Sequence, residues 1–138
     1  MTRRLLDTNV LSERLRARPD PGVADRLSRV VPAETFASAV TRFELRYGAG
    51  IHPHAASLWV RIERDILPLC SWLPLDDASA EAGALVAAEL KRAGRPIGVS
   101  DCMIAGTALA RGLVLVTRNT AHFERVRGLK VENWFGKA

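Results

Sequence analysis

Short apolar runs separated by longer amphipathic stretches set the pattern of this chain, and each kind predicts a different element. Arg3 to Asp7 reads as a short buried strand that ends in an acid. Asn9 to about Arg16 is helical, and Pro19-Asp20-Pro21-Gly22 breaks it. A second helix covers Val23 to Arg29, and Glu34 to Ala37 forms a second short strand. Ser38 caps a helix running to Tyr47, with Gly48 and Gly50 closing it. His52-Pro53-His54 opens a longer helix over Ala55 to Leu67, which Pro68 ends, and Leu69 to Leu75 gives a third strand. Asp77 or Ser79 caps the next helix, which reaches Ala93 and stops at Gly94. After a turn through Pro96 and Gly98, a helix from Ser100 to Arg111 meets its stop at Gly112. Leu113 to Thr117 is the most regular apolar run; an irregular segment follows, and Leu129 to Trp134 is the last strand.

Strands that alternate with helices predict an α/β fold: a central, mostly parallel sheet of four or five strands with helices on both faces. In such sheets functional groups gather beyond the carboxyl ends of the strands. Asp7 and the segment after Thr117 are both expected there, from opposite ends of the sequence. A length of 138 residues suits one domain, expected to span 1–138. An apolar content of 48% is enough for a packed core and excludes a disordered chain. No stretch approaches the roughly 20 consecutive apolar residues of a membrane span. The start, Met-Thr-Arg-Arg-Leu-Leu-Asp, meets an acid too early for a signal peptide, so a cytoplasmic protein without membrane contact is expected. Cys70 and Cys102 form no C-x-x-C pair and read as small core residues.

The informative residues are acids that interrupt apolar faces. Val40, Phe43 and Tyr47 make an i, i+3, i+7 stripe that reads as core-facing, and Glu44 lies on it. Ile104, Ala105 and Ala108 make a second buried stripe, which Asp101 continues toward the helix start. Asp7 directly follows Leu5-Leu6. Taken singly, each acid has another reading. Asp7 can cap the helix that follows it, and Asp101 suits the positive end of its helix dipole. Arg42 and Arg46, at i±2 from Glu44, lie on a different helix face and do not neutralise it. Taken together, three inward carboxylates repel one another and are costly to bury, and a divalent cation removes both difficulties. Mg²⁺ suits them because it takes a few carboxylate oxygens, keeps several waters and binds substrate phosphates; Mn²⁺ can substitute.

Charge points the same way. Lys and Arg number 20 against 15 Asp and Glu, and 17 of the 20 are Arg. Committing three acids to a metal leaves 12 against 20, an excess that favours a polyanion, although Arg abundance can equally reflect base composition.

Four motifs then occur in order: Leu5-Leu6-Asp7-Thr8-Asn9, Thr41-Arg42-Phe43-Glu44-Leu45-Arg46-Tyr47-Gly48, Ile97-Gly98-Val99-Ser100-Asp101 and Leu115-Val116-Thr117-Arg118-Asn119, before the ending Val131-Glu132-Asn133-Trp134. Together they resemble a PIN domain of the VapC toxin type. The resemblance implies a three-layer α/β/α fold and a Mg²⁺-dependent endoribonuclease, the toxin half of a toxin–antitoxin pair that inhibits translation or growth. It implies metal binding by Asp7, Glu44 and Asp101, with Thr8, Asn9, Thr117 and Asn119 as supporting or substrate-binding residues. It also implies an RNA substrate, a cognate antitoxin, a homodimer, and contact with operator DNA only through the antitoxin. His122 stands where the family often has a fourth acid. It is a candidate weak ligand, proton shuttle or phosphate contact, or a loop histidine without a chemical role. The missing fourth acid favours one well-held metal over two. A second reading stays open, in which a catalytically weak domain acts as a binding module with its antitoxin on operator DNA. A phosphotransferase with an Asp-x-Asp nucleophile is disfavoured, because Asn9 occupies the second acid's place.

Overall fold

The apolar runs form five strands, and all five lie parallel in one sheet. The computed structural model describes residues 2–136; Met1, Lys137 and Ala138, at the ends of the expected 1–138 domain, lie outside the described residues. The strands are β1 (Arg4–Leu6), β2 (Thr35–Ser38), β3 (Ser71–Leu73), β4 (Val114–Val116) and β5 (Val131–Glu132), ordered β3-β2-β1-β4-β5. Around them run α1 (Thr8–Ser12), α2 (Pro21–Leu27), α3 (Ala39–Gly50), α4 (Ala55–Asp65), α5 (Asp77–Arg92), α6 (Val99–Arg111) and α7 (Thr120–Phe123).

Side chains alternate across a strand, so each strand feeds two cores. Leu5 pairs in register with Phe36 and Leu115, and these three pack with Val86 and Leu90 of α5 and Ile104, Ala105 and Ala108 of α6. Leu6, Ala37 and Val116 face the other way, onto Val10 and Leu11 of α1, Leu27 of α2, Leu45 of α3 and Ile62 of α4. The result is the expected three-layer α/β/α arrangement. A one-residue slip of β1 would carry the flanking Arg4 or Asp7 into a fully buried leucine position, so the charges on either side of Leu5 and Leu6 fix its register.

Connectivity then locates the site. The chain moves outward from β1 to β2 and β3, and returns on the other side of β1 as β4. Neighbouring strands whose connections leave in opposite directions open a crevice at their carboxyl ends. Asp7 lies there, its N–H donating to Val116 O at 2.9 Å.

Several boundaries differ from the pattern's prediction. The first helix is split, with a 3-10 turn at Glu13–Leu15 after α1. Helix α2 starts at Pro21, not Val23, because Asp20 caps it (Val23 N to Oδ2, 3.1 Å) and proline is tolerated in a first turn. The cap of α5 is Asp76 rather than Asp77 or Ser79: its Oδ1 accepts from Ser79 N at 2.9 Å, and Ser79 is buried inside the helix. A 3-10 turn at Leu67–Leu69 absorbs Pro68 and shortens β3, and the segment after β4 contains α7.

The larger correction concerns α3. Phe43 and Tyr47 are not core-facing; they are 70% and 59% exposed and stack on each other at 6.3 Å. The buried residues are Val40, Thr41, Leu45 and Ala49. At roughly 100° per residue these fill one arc, and Glu44 falls inside it, between Val40 and Thr41. Glu44 is therefore directed inward as expected, but by a different set of neighbours.

Helices α5 and α6 pack at backbone contact. A Cβ on Gly106 would come within 2.3 Å of Gly83 N and 2.5 Å of Ser79 O, and these are backbone atoms that cannot swing aside. Gly106→Ala is therefore expected to force the helices apart and lower unfolding free energy by about 1–3 kcal/mol or more. Gly48→Ala, with nothing within 4 Å of its added methyl, is expected to raise it by about 0.5–1 kcal/mol. Urea denaturation of the two variants checks the contrast.

Candidate active site

Asp7 is the most buried acid of the chain, at 4% exposure. Thr8 N donates to its Oδ1 at 2.8 Å, while the Thr117 hydroxyl and the Asn9 amide donate to Oδ2 at 2.8 and 3.1 Å. Asp7 thus caps α1 and also organises the crevice, so the two readings of it are not exclusive. A carboxylate offers about four acceptor positions, and three are occupied here.

The surrounding loops are tied to the same group. Asn119 N donates to Thr117 Oγ1 at 3.0 Å, which turns the Thr117 proton toward Asp7. Asn9 Oδ1 accepts from Arg118 N at 3.1 Å, joining the loop after β1 to the loop after β4. Asn119 contributes its backbone in this way, whereas Thr8, Asn9 and Thr117 contribute side chains.

Glu44 reaches the cluster through Thr8, whose Oγ1 lies 2.6 Å from its Oε1. Asp101, in the first turn of α6, is partly buried, and its Oδ2 lies 3.6 Å from Nδ1 of the half-exposed His122. That distance is too long for a hydrogen bond but close enough for attraction when the imidazole is protonated. His52 and His54 are exposed at the start of α4, apart from these groups.

Electrostatics shows that the acids share one environment. Burial pushes the Asp7 carboxyl from 3.8 up to about 6; the Thr117 and Thr8 hydrogen bonds oppose the rise, and the charges of Asp101 and Glu44 add to it. Glu44 and Asp101 therefore both stand near enough for their charges to act on Asp7. Among the described residues no three His, Cys, Asp or Glu side chains are gathered closely enough to hold a metal ion as they stand. The donor chemistry nonetheless fits a hard cation that keeps part of its water shell: all-oxygen, anionic and mutually repelling. Arg42 and Arg46 on α3 stack over Trp72 and Trp59 at 5.3 and 4.3 Å, and Arg118 over Phe135 at 4.8 Å. None of these three has a carboxylate within 4 Å among the described residues.

Two residues escaped the sequence reading. Glu13 is 7% exposed, and its Oε2 accepts from Asp20 N at 2.7 Å, holding the turn into α2. Its i+3 spacing from buried Val10 is the same signal that exposed Glu44. Thr41 is fully buried beside Thr8, one helical turn before Glu44.

The PIN domain family model matches residues 4–129, which takes in every group of this cluster. The chain belongs to the PIN domain family. Within it, the chain is 38% identical over 134 residues to the tRNA(fMet)-specific endonuclease VapC of Shigella flexneri, covering 97% of this chain and 99% of that protein. The crystal structure of FitAcB from Neisseria gonorrhoeae shares its PIN fold with a TM-score of 0.85 at 35% identity, over 94% of this chain and 96% of that one. The DNA-bound VapBC of Salmonella typhimurium aligns with a TM-score of 0.84 at 32% identity, over 97% and 99%. The PIN domain of this chain is thus homologous to the VapC endonucleases along nearly its whole length.

The raised pKa of Asp7 has a consequence for stability. Below about pH 4 the carboxyl is protonated both folded and unfolded and costs nothing. Between pH 4 and about 6 the unfolded chain ionises first, so stability falls, by about 3 kcal/mol once both states are ionised. In metal-free protein, Asp7→Asn is expected to melt above wild type at pH 7.5, with the difference closing near pH 4. Equal melting at both pH values would show that no charge penalty exists.

Proposed function

We propose that this protein is a Mg²⁺-dependent endoribonuclease acting as the toxin of a toxin–antitoxin pair, with Asp7, Glu44 and Asp101 as the metal-binding carboxylates. The observation that carries the reading is the buried Asp7 carboxyl, held by three donors yet raised in pKa beside two further acids. Such a group is maintained against a stability penalty, which is the mark of a site shaped for a ligand. A divalent cation offsets the repulsion, and Mn²⁺ can take the place of Mg²⁺.

When bound, the ion supplies Lewis-acid polarisation of a phosphoryl oxygen and lowers the pKa of water at the site. The chain's own residues do the rest. Thr117, Asn9 and the Thr8 N–H hold Asp7 in one orientation, and Thr8 does the same for Glu44. His122, with Nδ1 3.6 Å from Asp101 Oδ2, stands at the edge of the site as a weak additional ligand or a phosphate contact. Arg118, in the loop after β4 with its guanidinium plane ordered over Phe135, contacts a phosphate that flanks the scissile bond. Single-stranded or looped RNA is the substrate class, because its bases can leave the stack to enter a crevice. The named specificity of the Shigella flexneri relative makes transfer RNA the first substrate to assay.

The partners follow from the same reading. A cognate antitoxin inhibits the enzyme and carries it to operator DNA, a reading supported by the DNA-bound VapBC complex of Salmonella typhimurium. A homodimer is supported by the exposed Phe43–Tyr47 stack and by Val99, 74% exposed, an apolar surface that a second copy would cover. No helix among the described residues is long and apolar enough to cross a membrane, and the reading places the enzyme in the cytoplasm.

RNA cleavage in Mg²⁺ is expected to fall at least about 100-fold on Asp7→Asn, Glu44→Gln or Asp101→Asn, a loss of ~3 kcal/mol or more in transition-state stabilisation. His122→Ala should cost far less. Full cleavage by all three acid variants would remove the site, and a His122 loss equal to that of Asp101 would make the histidine essential. Sedimentation of the same wild-type preparation checks the dimer, which a monomer mass would rule out.

A further inference from the structure

Thr41 is a fully buried polar residue on α3 whose hydroxyl the mechanism above leaves unused. Its backbone N–H is occupied by the helix cap, donating to Ser38 Oγ at 3.2 Å. Its own Oγ1 lies 3.0 Å from Thr8 Oγ1, and Thr8 Oγ1 in turn lies 2.6 Å from Glu44 Oε1.

The direction of this chain follows from the protons available. A hydroxyl carries one proton and two lone pairs. A carboxylate can only accept, and hydrogen bonds to it are short and strong, so the 2.6 Å contact takes the single proton of Thr8. The 3.0 Å contact can then be made only if Thr41 donates to a lone pair of Thr8. Protons therefore run from Thr41 to Thr8 to Glu44, and Oε1 of Glu44 is the anchored oxygen. Among the described residues Oε2 has no hydrogen-bond partner.

We propose that Thr41 is a positioning residue for Glu44: by donating to Thr8 it fixes the rotamer that points the Thr8 proton at Oε1, and so holds Oε2 ready for a divalent cation. The inference rests on the reading of Asp7, Glu44 and Asp101 as a metal site. Thr41 itself touches neither metal nor substrate. Its burial matters because the Thr41 hydroxyl has no bulk water to donate to, so its proton is directed to Thr8. Groups that orient ligands from behind in this way are commonly worth 10- to 100-fold in metal affinity.

The test is calorimetric titration of Mn²⁺ into the full-length protein. Thr41→Val, which removes the hydroxyl at nearly constant volume, is expected to weaken Mn²⁺ binding about 10-fold or more. Thr41→Ser, which keeps the hydroxyl, should bind close to wild type. In a Glu44→Gln background Thr41→Val should add no further loss, since its effect passes through Glu44; a purely packing role would still add one. If Thr41→Val does not fold, Thr41→Ala replaces it in the same comparison. Wild-type affinity in the Val or Ala variant, or a Ser variant as weak as Val, overturns the role of Thr41 alone. Wild type that fails to bind Mn²⁺, or Glu44→Gln that binds it undiminished, overturns the metal-site reading and this inference with it.

Discussion

The arrangement of this protein turns on one unfavourable placement: a carboxylate buried at the carboxyl end of the central strand. Asp7 sits where β1 and β4 part, and it is held there by donors from both ends of the chain. Thr117 lies 110 positions away in sequence and donates at 2.8 Å, while Asn9 donates from the next helix and also anchors the Arg118 backbone. Burial alone would expel the charge, and the hydrogen bonds recover only part of that cost. The remainder, increased by Glu44 and Asp101, is what a cation can relieve. The same feature accounts for the cap of α1 and the course of the loop after β4.

Holding three repelling groups together requires a frame that does not yield. Leu5 and Leu6, buried in opposite cores between the charged Arg4 and Asp7, fix the height of β1, and with it the height of Asp7. Contact between α5 and α6 through Gly83 and Gly106 fixes α6, and Asp101 stands on its first turn. Glu44 depends on α3, whose inward arc leaves it beside Thr41 and Thr8. Each acid thus rides on a different rigid element, and the crevice is where the three elements meet. Close packing makes such a cluster persistent, because none of the elements can shift without losing core contacts.

Much of this was legible from the order of residues. The strands were visible because each is short, apolar and bounded by breakers, and the acids were visible because they interrupt apolar faces. The α3 face was misread because Phe43 and Tyr47 dominate a hydrophobic count, yet their rings lie outside while the smaller Val40, Thr41 and Ala49 are buried. Pattern reading weighs apolar size, and an aromatic pair left for another surface carries the same weight as a core pair. The cap of α5 was misplaced by one residue because Asp76, Asp77 and Ser79 all suit the position and only backbone geometry chooses among them. Thr41 and the carboxylate of Glu13 gave weaker signals: each is polar on an inward face, and each has its partner in a different element. The closeness of Asp101 and His122 could not be read at all from local pattern, since α6 and α7 are joined only by the fold.

The central claim is that Asp7, Glu44 and Asp101 together bind one divalent cation. Its most direct test is anomalous diffraction from crystals of the protein grown with Mn²⁺. The account predicts a single strong anomalous peak in the crevice at the carboxyl ends of β1 and β4, in contact with carboxylate oxygens of these three residues. Manganese found only elsewhere on the molecule, or an empty crevice at saturating Mn²⁺, would contradict it.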